Sequence, residues 1–425
     1  MKKYQWGIFL VCAGLALCSL EGCAEKPGET RGQEDIYEGL VSMEEEPVIA
    51  YQVPELTPNI MVDLQGYYTL DAKTAAVKGS RLPGHFRLLE ASTGLEVYSG
   101  ELEDIVYDEE KGLYLGYADF SAVEQEGVYY LECGRVGQSY RFSITDDLYS
   151  GLFEEAYLPL EEGCEKKELS VREAIELLEA YEWYGSLFSL QEGGSPGVLE
   201  GLKGWIAAME EKETEQQGAL YAAFLAKFGY NYQKIDLQYA TDCLKRASTV
   251  YGQVQPPEEG SGDCFFALTE LYRATSLSTY RNEILKSGAF LEENEECLDD
   301  TFYLYGSMTY LMTRQKVDMD LCRVLMNHIM DRGEKISKEY ETELYPLESG
   351  RGRLPELMKN ALELSCANFV LNNYQYTNII EDYLHYLMGR NLESVNFFEE
   401  GREKGSYLLL LAQLASNHQK NNEQK

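Results

Sequence analysis

The sequence predicts two folded parts in tandem, an all-β sandwich followed by an all-α domain of helical hairpins. Three observations carry that reading. Apolar and polar residues alternate in short runs from Asn59 to Thr145, the period becomes helical after Asp147, and it stays helical almost to the end of the chain. At 425 residues the chain has room for two or three domains, each with its own core.

Ahead of the sandwich, MKKYQWGIFLVCAGLALCSLEGC sets two lysines before an apolar run from Trp6 to Leu20, the layout of an export signal. The run is too short for a comfortable membrane span. With Gly22 before Cys23, residues 1–23 resemble a bacterial lipoprotein signal, which implies acylation of Cys23 and a lipid anchor at the outer face of a bacterial membrane. The alternative is a secretory signal cut nearby and a secreted protein. Residues 24–58 are rich in Glu, Gly and Pro and predict a flexible acidic linker, and 419–425 predict a disordered tail.

The sandwich is placed at 59–149. Ser92-Thr93-Gly94 reads as a hairpin turn, and Tyr140, Phe142 and Ile144 share one face of a strand. The helical part is placed at 150–418, with an initial helix near 148–157. Ser170-Val-Arg-Glu173 is a capping box, and Pro196 opens a helix whose Val198, Leu199, Leu202, Trp205, Ile206 and Met209 form one stripe. About eleven helices follow from the whole pattern, as an array of antiparallel hairpins requires.

The net charge of −35 argues against nucleic acid or an anionic lipid surface as partner, whereas a neutral sugar is not repelled. Cys133, Cys164, Cys243, Cys264, Cys297, Cys322 and Cys366 are scattered without Cys-x-x-Cys spacing and read as mostly buried thiols. No metal and no cofactor is expected, because His85, His328, His385 and His418 stand at no ligand spacing.

Ile60-Met-Val-Asp-Leu-Gln-Gly-Tyr67, Tyr107 to Ser121, Gly127 to Cys133 and Ser139 to Tyr149 together resemble the immunoglobulin-like N-terminal domain of family 9 glycoside hydrolases of the cellulase type. Asp63 and Leu64 depart from that domain's opening strand. Pro196 to Lys203, Ala219 to Phe228, Tyr239 to Ala247 and Ala267 to Thr275 are similar to the catalytic domain that follows in that family. Asp382-Tyr-Leu-His-Tyr-Leu-Met-Gly-Arg-Asn391 is similar to the helix that leads into its cleft. The resemblance implies an immunoglobulin-like sandwich followed by a shortened (α/α)6 barrel.

Inverting hydrolysis needs a carboxylate to activate water and a carboxylic acid to protonate the leaving oxygen, roughly 6.5–9.5 Å apart. In the family the base sits in an Asp-Ala-Gly-Asp loop just before the helix that begins here at Val171, yet this chain has no aspartate between Asp147 and Asp236. Glu161, Glu162, Glu165 and Glu168 read as a solvated linker rather than as substitutes. By the resemblance Glu400, beside Glu399, stands at the acid's position, but the histidine-arginine segment expected before it is absent. Gly389 reads as a helix C-cap, Arg390 and Asn391 either line a residual cleft or cap the helix, and His385 reads as a packing residue. Among the 33 tyrosines, Tyr181 and Tyr184, together with Trp183, are the candidate cleft rim.

The expected function is therefore a cell-surface, cellulase-like lipoprotein, a pseudoenzyme that binds or presents a polysaccharide or oligosaccharide. The alternatives are an active β-glucan hydrolase using Glu400 with a relocated base, and a purely structural lipoprotein whose helical domain contacts another protein.

Overall fold

The computed structural model describes residues 51–54, 57–109, 111–188, 196–209, 218–254, 261–291, 294–342, 350–401 and 403–423. The signal, Cys23 and most of the 24–58 segment lie outside them.

Nine strands come first: β1 (Ile60–Met61), β2 (Tyr67–Tyr68), β3 (Thr74–Gly79), β4 (His85–Glu90), β5 (Glu96–Asp108), β6 (Leu113–Asp119), β7 (Gly127–Cys133), β8 (Gly137–Gln138) and β9 (Phe142–Thr145). They run in the order β1-β3-β6-β5-β4-β7-β9-β2, with β8 on β7. β5 serves two layers, pairing with β4 through its first half and with β6 through its second. The pairing slips between Glu103 and Val106, where Asp104 adopts φ 48°. Such a bulge bends a strand, so β3 and β6 fold over β4, β7 and β9. The core between the layers includes Ile60, Val77, Phe86, Leu131, Phe142 and Ile144. Part of the segment assigned to the flexible linker belongs to this domain: the Tyr51 ring lies 4.6 Å from Tyr130 with the Arg141 guanidinium 4.2 Å above it.

Twelve α-helices follow among the described residues: α1 (Leu148–Lys166), α2 (Val171–Tyr184), α3 (Gly197–Met209), α4 (Ala219–Tyr232), α5 (Leu237–Gln253), α6 (Gly262–Thr275), α7 (Ser278–Leu291), α8 (Thr301–Met312), α9 (Met319–Thr342), α10 (Gly350–Leu371), α11 (Tyr374–Leu387) and α12 (Lys404–Glu423). The pattern predicted about eleven. The addition is α7, whose mostly polar surface sets few apolar residues at helical spacing, with Ile284 and Leu291 as its buried anchors. α1 continues past 157 to Lys166, so Glu161, Glu162 and Glu165 sit on a helix rather than a linker. α12 continues into the predicted tail, to Glu423.

The even-numbered helices neighbour one another in order from α2 to α12, and α12 closes on α2; α5 lies on α4, α7 on α6, and α9 and α11 on α10. Burial follows this arrangement. α4 is buried almost all round, as a helix inside a ring must be, whereas α5 buries only Ala240, Cys243 and Ala247.

A polar network crosses the ring interior. Lys227 on α4 lies 3.0 Å from Glu179 and 2.8 Å from Glu182 on α2, and 3.3 Å from Glu270 on α6. Arg273 pairs with Glu182 and Glu270, and Thr309 of α8 donates to Glu270 at 2.8 Å. Three carboxylates face two cations. Burial, against the pull of Lys227, pushes Glu179 up to about 7, while Lys227 and Arg273 hold Glu182 below the usual range against its own burial.

Candidate functional site

By the resemblance the base would precede α2, and there the connection is short. Only residues 167–170 separate α1 from α2. Lys167 turns the chain with φ 63°, and Ser170 and Glu173 complete the predicted capping box. Leu169 packs on Gly163, where an added Cβ would stand 2.6 Å from its Cδ2, and its carbonyl accepts the Trp205 indole N–H at 3.2 Å.

One turn further, Glu176 faces α12 but offers no open base. Its carboxylate pairs with Arg172 at 3.1 Å, accepts from Ser406 at 3.2 Å, and lies so close to Gly405 that a Cβ there would sit 2.2 Å from Oε2. Burial raises its pKa, and the helix start above it leaves no route for substrate.

Glu400 is exposed in the loop between α11 and α12. Its neighbour Glu399 accepts from Asn396 at 3.0 Å and, with Glu155 of α1, lines a cavity of about 350 Å³ beside Pro159, Phe398 and Lys404.

Gly389-Arg390-Asn391 holds the sandwich rather than a cleft. Gly389 has φ 130° and a virtual Cβ only 2.5 Å from Leu64 Cγ, so a glycine is required where the sandwich touches the helix end. Leu64 N–H donates to the Met388 carbonyl at 2.9 Å, and Lys78 Nζ to the Leu392 carbonyl at 2.8 Å. Arg390 is 1% exposed and bonded to Asp382 and to Thr74 of β3. Asn391, 0% exposed, donates to the Tyr386 and Val395 carbonyls and accepts from the Glu393 and Val395 amides. Neither side chain reaches a ligand surface, which corrects their assignment to a cleft. Asp63 and Leu64 belong to the same clamp: Asp63 Oδ2 meets His385 Nδ1 at 2.7 Å.

The opposite end of the ring is open. A cavity of about 720 Å³, within the range for small-ligand sites, lies where α2, α10 and α12 end and α11 begins. Tyr68, Trp183, Tyr184, Phe369 and Tyr374 supply aromatic surface, and Asn372, Asn378, Gln413 and Asn417 supply amides. Trp183 and Phe369 lie 5.0 Å apart, the Trp183 indole N–H has no partner, and Tyr374 is 76% exposed. Asp71, Glu381 and His418 complete the wall. Of the predicted rim, Trp183 and Tyr184 fall here, whereas Tyr181 packs edge-on to Phe188 at 5.7 Å and lines none of these cavities. The Asn and Gln residues escaped the sequence reading because α10, α11 and α12 bring them together from separate segments. The one local signal is Asn-Asn-Tyr at 372–374, where Asn373 caps α11.

The molecule is thus a β-sandwich clamped to a closed ring of helices that holds an aromatic and amide-lined cavity. Residues 55–138 match the cellulase N-terminal immunoglobulin-like domain, and residues 205–402 match glycosyl hydrolase family 9. Residues 205–402 thus match a glycosyl hydrolase family 9 domain, with the immunoglobulin-like domain of cellulases on their N-terminal side. The family match begins beyond α1 and α2, the stretch whose connection is short here. No curated protein matches the chain.

Among solved structures, a metagenome-derived family 9 endoglucanase is similar at 16% identity, covering 80% of this chain and 84% of its own, with a TM-score of 0.65. A Bacteroides ovatus family 9 protein follows at 15% identity, 80% and 86% coverage and a TM-score of 0.62. A thermostable endoglucanase variant from Alicyclobacillus acidocaldarius is similar at 16% identity, 80% and 83% coverage and a TM-score of 0.59. At these identities the likeness establishes the fold.

Proposed function

We propose that this chain is an exported, lipid-anchored member of the family that binds a polysaccharide or oligosaccharide without cleaving it. On this reading the ring is a shortened (α/α)6 barrel whose hydrolytic end has been sealed, and the ligand occupies the cavity at the other end. The observation that carries it is the passage from α1 to α2 through residues 167–170, which leaves the base no loop to stand on. Trp183 and Tyr374 offer faces for pyranose C–H groups, and the amides suit sugar hydroxyls. The lipid anchor rests on the Cys23 signal pattern, outside the described residues, and is checked by comparing membrane fractions of the chain and its Cys23→Ser variant.

The test is calorimetric titration with cello-oligosaccharides and mixed-linkage β-glucan fragments. Saturable binding weakened about tenfold or more by Trp183→Ala, with the fold intact, supports the proposal; binding indifferent to that substitution, or no binding by the parent chain, contradicts it. A second reading, hydrolysis with a relocated base, draws on Glu155 and Glu399 lining one cavity. Sugar release that disappears in Glu155→Gln or Glu400→Gln would favour it.

A further inference from the structure

We propose that Asp71, Glu381 and His418 form a binding site for a zinc-type divalent cation that staples the β-sandwich to α11 and α12. Asp71 belongs to the segment between β2 and β3, so the three residues come from three separate parts of the chain. One ligand atom from each lies within 4.8 Å of the others. His418 Nε2 stands 3.8 Å from Asp71 Oδ1 and 3.8 Å from Glu381 Oε1. These separations are beyond hydrogen-bond length. Donors bound to one ion at about 2.0–2.1 Å stand roughly 3.3 Å apart in a tetrahedron, so a small contraction seats the ion.

The surroundings are arranged as a metal site's are. Tyr149 donates its hydroxyl to Asp71 Oδ2 at 2.7 Å, fixing the carboxylate and leaving Oδ1 toward His418. The His418 ring packs against two tyrosines, Tyr68 with centroids 4.0 Å apart and Tyr149, stacked at 5.0 Å. Its Nε2 has no hydrogen-bond partner.

An independent observation points the same way. His385, one helical turn beyond Glu381 on α11, is 3% exposed, and its Nε2 also has no partner. Its Nδ1 is engaged by Asp63 at 2.7 Å. A carboxylate on one ring nitrogen with the other left bare is the pairing that orients metal-ligating histidines. Glu381 and His385 both line a second cavity, of about 270 Å³, and Glu381 lines the large one as well, so an ion has a path in and room for a water ligand.

An imidazole with two carboxylates selects a first-row transition ion over calcium or magnesium, which take oxygen donors. The inference does not depend on sugar binding, and zinc is titrated with no carbohydrate present.

The experiment strips the purified full chain with a chelator, titrates Zn²⁺ calorimetrically and repeats the titration with His418→Asn and Glu381→Gln. One equivalent is expected, with affinity reduced about 10- to 100-fold in each variant and a melting temperature that rises with zinc in the parent chain only. His328→Asn, at a separate histidine–aspartate pair with Asp299, should bind as the parent does. Because cysteine thiols are alternative ligands, cobalt substitution of the parent chain decides the donors even where a variant fails to fold. A spectrum without thiolate charge transfer supports the site. A thiolate spectrum, no bound zinc, or zinc affinity unchanged in both folded variants would overturn it.

Discussion

The two ends of α12 teach opposite lessons about how one barrel can change its work. At its start, Gly405 and Ser406 press onto Glu176, and α1 passes to α2 through the short 167–170 turn. At its far end, Gln413, Asn417 and His418 open onto a cavity of about 720 Å³. Thirteen residues from Lys404 to Asn417 at 1.5 Å each separate the two by about 20 Å. On the proposed reading a short connection alters one end without touching the other, because the ring itself is held by its interior network and by the sandwich clamp.

That comparison can be broken first at the ring interior. Lys227→Met takes the ion-pair partner from buried Glu179 and leaves Glu182 and Glu270 to Arg273 alone, and should cost about 3–5 kcal/mol in denaturant unfolding, weakening the scaffold of both ends. A loss below 1 kcal/mol would mean that the ring does not depend on the network.

The same network sets a pH dependence. Glu179 is raised from 4.5 to about 7, chiefly by burial. A raised carboxylate contributes stability fully below its unfolded pKa and loses it as pH climbs through the folded value. Glu179→Gln, permanently neutral, should therefore gain on the parent chain between pH 5 and pH 8, by up to roughly 3 kcal/mol. Parallel unfolding curves for the two at both pH values would refute this.

The clamp is probed by Gly389→Ala, which drives a Cβ into Leu64 at positive φ and should cost about 1–3 kcal/mol in thermal unfolding. The smallest effect is expected at the supposed acid: Glu400→Gln, on an exposed loop residue, should change stability by less than about 0.5 kcal/mol.

Much of the fold was legible because it is written locally. The capping box at Ser170 and the stripe from Val198 to Met209 both appear as read. What was not legible depends on distance in sequence. Arg390 looks like a cleft residue until β3 is brought against it and Thr74 accepts from its guanidinium, while Asn391 is taken up by the Tyr386 and Val395 carbonyls. His418 shows no ligand spacing along the chain, yet folding sets it beside Asp71 and Glu381. Pattern reading sees side chains on one face of one element; it does not see which faces meet. The glutamates at 176, 179 and 182, three apart on α2, were the visible but unread sign of buried charge on the inner face of that helix.

The central claim is that the sealed end does no chemistry, and a reducing-sugar assay of the parent chain on mixed-linkage β-glucan tests it most directly. The account predicts no release above the no-protein control at protein concentrations that saturate binding. Sustained release, abolished by Glu400→Gln while binding persists, would contradict it.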